Sequence, residues 1–190
     1  MVNAMINIAD ELKNALTSVA SGAGDVVDTT RDVVKKNIVE TLKAGGEVTT
    51  ATLDTVGKVV AESIGVVSTT GTSTTKAVTG LVAGAIEGVK EVGGDVGATT
   101  TEASHGAIKG VSQVGGDLGE ASVSAVEGAI KAAHDVGGDS GMLAKNAVMG
   151  TLKAADEIGN EAGGIVRKAL LSAATLPHDV IDAFLTGKKE

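Results

Sequence analysis

The sequence predicts an all-α fold built from amphipathic helices. Three observations carry that expectation. The chain repeats every 22 residues in two 11-residue halves, it is rich in Ala, Val, Gly and Thr with one proline and one aromatic residue, and it lacks the sustained period-2 alternation of a half-buried strand. Four segments align without gaps. Gly84 to His105 reads GAIEGVKEVGGDVGATTTEASH, and Gly106 to Glu127 reads GAIKGVSQVGGDLGEASVSAVE. Gly128 to Met149 reads GAIKAAHDVGGDSGMLAKNAVM, and Gly150 to Leu171 reads GTLKAADEIGNEAGGIVRKALL. The phase continues backwards with weaker letters, so residues 18–171 make fourteen 11-residue units without insertion or deletion.

Eleven residues are three helical turns at about 3.67 residues per turn, close to the natural period. On a wheel of that period, places 5, 9, 2, 6, 10 and 3 of each unit form one apolar arc. In the unit pair 106–127 the arc holds Gly110, Val114, Ala107, Val111, Gly115 and Ile108, then Ala121, Ala125, Leu118, Ser122, Val126 and Gly119. Lys109, Gln113, Asp117, Glu120, Ser124 and Glu127 take the opposite side. The expected packing face is therefore Ile86, Val89, Val92, Ile108, Val111, Val114, Ile130, Val136, Leu152 and Ile158. It is smooth and small, since large aliphatic and aromatic side chains usually dominate core energetics.

Outside the repeat the chain changes character. Residues 1–17 read as a separate amphipathic helix with Met5, Ile8, Leu12 and Leu16 on one stripe. Residues 172–190 form a more hydrophobic end, a cap or anchor segment made of Leu176, Val180, Ile181, Phe184 and Leu185, with Pro177 placed at a helix start.

Two architectures fit the repeat. In the first, long helices run through the glycines and pack as a bundle or as a right-handed coiled assembly, the handedness an 11-residue seam favours. The unbroken register argues for it, with the Thr-rich stretch from Ser68 to Thr75 and the glycine pairs as hinges. In the second, Gly93-Gly94, Gly115-Gly116 and Gly137-Gly138 are turns, each followed by an Asp that caps the next helix, and the chain is a solenoid of short helices. Either way, a glycine inside a helix costs about 1 kcal/mol relative to alanine, so a lone helix of this sequence needs a surface to pack against.

Charge and composition limit the function. The formal net charge of −8 argues against a nucleic-acid partner and against strong attraction to anionic lipid. The absence of cysteine removes thiolate metal sites and disulfides. The start of the chain lacks a secretory signal pattern, which points to a cytoplasmic location, with a peripheral membrane location left open. The least charged window, residues 63–86, is crowded with Ser, Thr and Gly, so no transmembrane span is expected. No two of His105, His134 and His178 stand four residues apart, and each reads as a solvated surface residue. Ser73-Thr74-Thr75-Lys76 matches S-x-x-K without the companion motifs of the enzymes that use it. Pairs such as Lys131 with Asp135 and Lys153 with Glu157, one turn apart, read as a solvated face. No catalytic residue, metal or cofactor is expected.

GAIEGVKEVGGD, residues 84–95, resembles synuclein repeats, and residues 26–67, with their Thr-Val-Gly-Lys texture, resemble perilipin repeats. The 11-residue period is also that of late-embryogenesis-abundant proteins, and 22 is the apolipoprotein period. The resemblance implies a chain that is disordered alone and folds on a lipid or protein surface. The lysines that flank the apolar arc in synucleins and apolipoproteins are replaced here by Gly, Asp or Glu at the first place. The expected function is thus a non-catalytic structural or scaffold protein that associates with copies of itself or with partner helices through its Gly/Ala/Val face. The alternative is a peripheral coat on a neutral lipid surface.

Overall fold

Each V-G-G-D segment is a turn. In the computed structural model, α4 (Thr74–Glu91) ends at Val92, Gly93 takes φ +78°, and the Gly94 N–H donates to the Val89 carbonyl at 2.9 Å. This arrangement satisfies carbonyls that the last helical turn leaves open, and its left-handed residue suits glycine because no Cβ is present to clash. Asp95 then caps α5 (Val96–Gln113), its carboxylate accepting from the Ala98 N–H at 3.0 Å. Gly115, Gly116 and Asp117 do the same before α6 (Leu118–Val136), and Gly137, Gly138 and Asp139 before α7 (Ser140–Ile158). These four helices start 22 residues apart, at Thr74, Val96, Leu118 and Ser140.

The long continuous helix expected first does not form through these segments. A turn there satisfies both helix ends locally and lets the weakly apolar faces meet within one chain. The fourth copy, Gly159-Asn160-Glu161, lacks the second glycine and the aspartate. There α8 (Asn160–Ser172) restarts directly after Gly159 with no side-chain cap. The remaining helices are α1 (Val2–Ala20), α2 (Val26–Gly45), α3 (Thr50–Ser68) and α9 (His178–Thr186). The structure describes residues 2–20, 25–45 and 50–186, and the side chains of 8–19, 25–44, 53–182 and 185. No strand occurs among them. Within the Thr-rich stretch the chain does break, over residues 69–73, with Gly71 at φ +72° and Ser73 capping α4.

The helices lie in two rows. In one, α2, α4, α6 and α8 stand side by side; in the other, α1, α3, α5, α7 and α9 do. Consecutive helices cross between rows. Helices two apart in sequence run parallel, because contacts advance together along both. Gly80, Gly84 and Gly88 of α4 meet the backbone carbonyls of Val27, Arg31 and Lys35 of α2 in that order. Gly106 and Gly110 of α5 likewise meet Gly57 and Ala61 of α3. Gly128 of α6 sits on the Thr79 carbonyl, and Gly150 of α7 on that of Thr101.

Burial follows from this approach. Within α4 every residue from Ala77 to Val89 except Thr79 is buried, since α2 and α6 flank it and the second row lies beneath. Hydroxyls join the core by bonding back to the preceding turn. Thr30, Ser63, Thr99, Thr100 and Thr151 each donate to a carbonyl three or four residues earlier. This lets a chain rich in Ser and Thr pack helices as if those residues were apolar.

Two predictions follow from the packing. A Cβ at Gly106 or Gly150 would overlap a backbone carbonyl, so Gly106→Ala or Gly150→Ala should cost about 1–3 kcal/mol despite the gain in helix propensity. Gly65→Ala, where nothing lies within 4 Å, should instead stabilise by up to about 1 kcal/mol. Urea unfolding of the three variants checks both signs. Asp117→Ala, which removes a cap, should cost about 1 kcal/mol in the same assay.

Candidate functional site

The candidate site is the set of faces through which helices pack. Of the residues predicted to form it, Ile86, Val89, Ile108 and Val111 are fully or almost fully buried. Ile130 and Leu152 are half-buried. The difference lies in their neighbours. Helices α4 and α5 have a long helix on each side in their row, whereas α6 and α7 are flanked on one side by the shorter α8 and α9. Val92, Val114 and Val136 stand at helix ends and are half-buried, and Ile158, at the end of α7, is 38% exposed. Gly93, Gly94, Gly115, Gly116, Gly137 and Gly138 lie in the turns. In the C-terminal segment Leu176 and Ile181 are buried, Val180 and Leu185 are half-buried, and the Phe184 side chain lies outside the described residues.

Sequence reasoning missed the glycine that opens each 22-residue repeat from Gly84 onwards. On the wheel it flanks the apolar arc; in the fold Gly84, Gly106, Gly128 and Gly150, like Gly80, lie against the backbone of the helix two before their own. The signal was present as G-x-x-x-G spacing in Gly80, Gly84 and Gly88 and in Gly106 and Gly110.

Among the described residues, Lys131 and Lys153 do not pair one turn on with Asp135 and Glu157 but with other helices, and most of the ion pairs join helices of one row. Arg31 of α2 holds Glu87 of α4 at 2.6 Å and reaches over α4 to Asp135 of α6 at 2.9 Å. Lys131 of α6 returns to Asp28 of α2 at 3.1 Å. Lys35 lies 3.7 Å from both Glu87 and Glu91. In the other row Glu157 of α7 accepts from His105 and Lys109 of α5, each at 3.0 Å, and Lys153 reaches Glu102 at 3.5 Å. Parallel neighbours bring these places to the same height, which one helix alone cannot reveal.

The pairs move protonation equilibria in a consistent direction. Lys109, and then His105, hold the Glu157 carboxyl below the usual glutamate range. Lys36 does the same to Glu11 between α2 and α1, across 2.6 Å. The Glu87 carboxylate raises the Arg31 guanidinium further above its ordinary value.

Each of the carboxylates Glu87, Glu102 and Glu157 faces a cation of a helix in the same row. His105 is largely covered by its pairing with α7, its side chain 18% exposed, which departs from the solvated reading, while His134 and His178 are exposed. The Ser73 hydroxyl accepts from the Lys76 N–H, so the S-x-x-K match is a helix cap. Among the described residues no group of three or more His, Asp or Glu is placed to hold a metal ion. No described helix is long and apolar enough to cross a membrane. No protein-family model matches the chain, and no curated protein is significantly similar to it in sequence.

Both lowered carboxylates contribute stability that is complete above their ordinary range and is lost as pH falls through their lower folded values. Melting temperature should therefore hold between neutrality and mild acid and fall below about pH 4.3, more shallowly in Glu157→Gln, as thermal circular dichroism would record. Arg31→Met, which leaves the buried Glu87 only the more distant Lys35, should cost about 3 kcal/mol, and Arg31→Met with Glu87→Leu should recover most of that loss in denaturant titrations.

Proposed function

We propose that the protein is a non-catalytic structural scaffold: a solenoid-like array of short helices whose small-residue face is spent on contacts within the chain. The observation that carries this reading is the recurrent seating of a glycine of one helix on a backbone carbonyl of the helix two before it, at Gly84, Gly106, Gly128 and Gly150. A protein that folds on a lipid surface keeps its apolar stripe for the lipid. Here that stripe meets other helices, and the polar sides pair across the rows. Lipid is then unnecessary for folding, and partner helices or a second copy engage whatever apolar surface the rows leave uncovered.

Circular dichroism with sedimentation, with and without neutral vesicles, tests the reading. The chain should be strongly helical in plain buffer, melt cooperatively, and gain little helix when vesicles are added. A disordered chain in buffer that becomes helical and floats with vesicles would establish the lipid-coat alternative instead.

A further inference from the structure

Helix α1 is held to the array through its side chains. Elsewhere in its row, α5 rests on α3 and α7 on α5 backbone to backbone, with Gly106 on the Gly57 carbonyl and Gly150 on that of Thr101. Two repeats before Gly106, at the matching place of α3, stands Glu62, which is exposed. Neither glycine of α3 faces α1, since Gly57 meets Glu102 of α5 and Gly65 has nothing within 4 Å. Instead Ile8, Leu12 and Leu16, four residues apart, are buried where α1 packs on α2 and α3. One carboxylate fixes the register. Glu11 accepts from the Lys36 ammonium at 2.6 Å and from the Asn37 amide at 3.1 Å, both on α2. Asn37 is only 6% exposed, and the same amide nitrogen also donates to the Val33 carbonyl at 2.9 Å. This end of the array is thus a socket for a helix with aliphatic residues at three successive fourth places and a glutamate just before the second.

We infer that α1 exchanges between two copies of the chain, each seating its α1 in the α2–α3 socket of the other. A second copy brings the helix whose fit to this socket the structure shows, including the carboxylate that Lys36 and Asn37 hold. Because α1 ends its row and touches α2 and α3 alone among the described helices, its departure leaves every glycine-to-carbonyl contact in place. An exchanged pair remakes each contact that α1 has in the closed chain, so no new surface is needed and concentration sets the balance. A tethered helix faces its own site at an effective concentration on the order of 1 mM. The closed monomer therefore prevails at micromolar concentration, and the exchanged dimer forms as the chain approaches that value.

This inference rests on the scaffold reading, and one set of measurements separates the two. Glu11→Lys and Lys36→Glu each set like charges together inside a closed chain. When the two variants are mixed one to one, an exchanged pair brings opposite charges together in both sockets. Single surface pairs are weak, but two are corrected at once. The mixture, incubated overnight, should form a one-to-one dimer at least about tenfold tighter than either variant forms with itself, with an unchanged circular dichroism spectrum. Sedimentation equilibrium of the whole chains reads this. A chain carrying both substitutions restores the pair internally and should stay monomeric over the same range, which separates exchange from attraction between intact surfaces. A mixture that sediments as two monomers up to about 1 mM, a mixture that pairs no better than its components, or a doubly substituted chain that dimerises as tightly as the mixture would each overturn the exchange alone. A chain without helix in buffer would overturn both readings.

Discussion

The arrangement depends on how closely parallel helices approach where glycine faces a carbonyl. A Cβ built at Gly106 would overlap the Gly57 backbone, and one at Gly128 would stand 2.5 Å from the Thr79 carbonyl oxygen. Only hydrogens occupy that space, so the helices settle into contact backbone to backbone. The geometry suits weak Cα–H···O interactions, and it also raises the number of dispersion contacts that each small side chain makes. A core of Ala and Val has little area per residue to bury. It becomes adequate when each inner helix lies close to two neighbours in its row and to others in the second row.

The same closeness sets the charge pattern. With glycines on its flank, α4 is thin enough for Arg31 on α2 to reach Asp135 on α6 across it, and for Lys131 to reach Asp28 in return. Glu87, on the side of α4 that these residues close over, is buried yet remains paired. Bulkier residues at Gly80, Gly84 and Gly88 would push the flanking helices apart and lengthen these pairs, so the apolar contact and the ionic cover are coupled. Around α6 the Arg position is not repeated. There Thr79 donates to the Ser124 carbonyl and Thr175 to Glu127, a weaker cover.

Several features were legible in the residues. Helical character and the Gly-Gly-Asp segments as one of two options follow from spacing and residue type. The parts misread were those in which one helix has to know its neighbours. Gly84 and its copies looked like the flank of an arc because a wheel contains a single helix. Lys153 and Glu157 looked like a one-turn pair because sequence distance hid α5, which supplies Glu102, His105 and Lys109. Ile130 and Ile86 occupy the same place in their units but differ in burial, because one helix sits near the end of its row and the other inside it.

By itself the sequence offered Gly93-Gly94-Asp95 and its copies as turns, through the αL preference of glycine and the capping geometry of aspartate, but set beside them the longer helices that the structure does not form. It also determined that the helices would be too weakly apolar to stand alone. Only the tertiary structure decided that the surface they need is supplied by the same chain. That choice turns on contacts about fifty residues apart, such as Gly150 with Thr101, where the energy lies in the fit of two backbones rather than in the character of either residue.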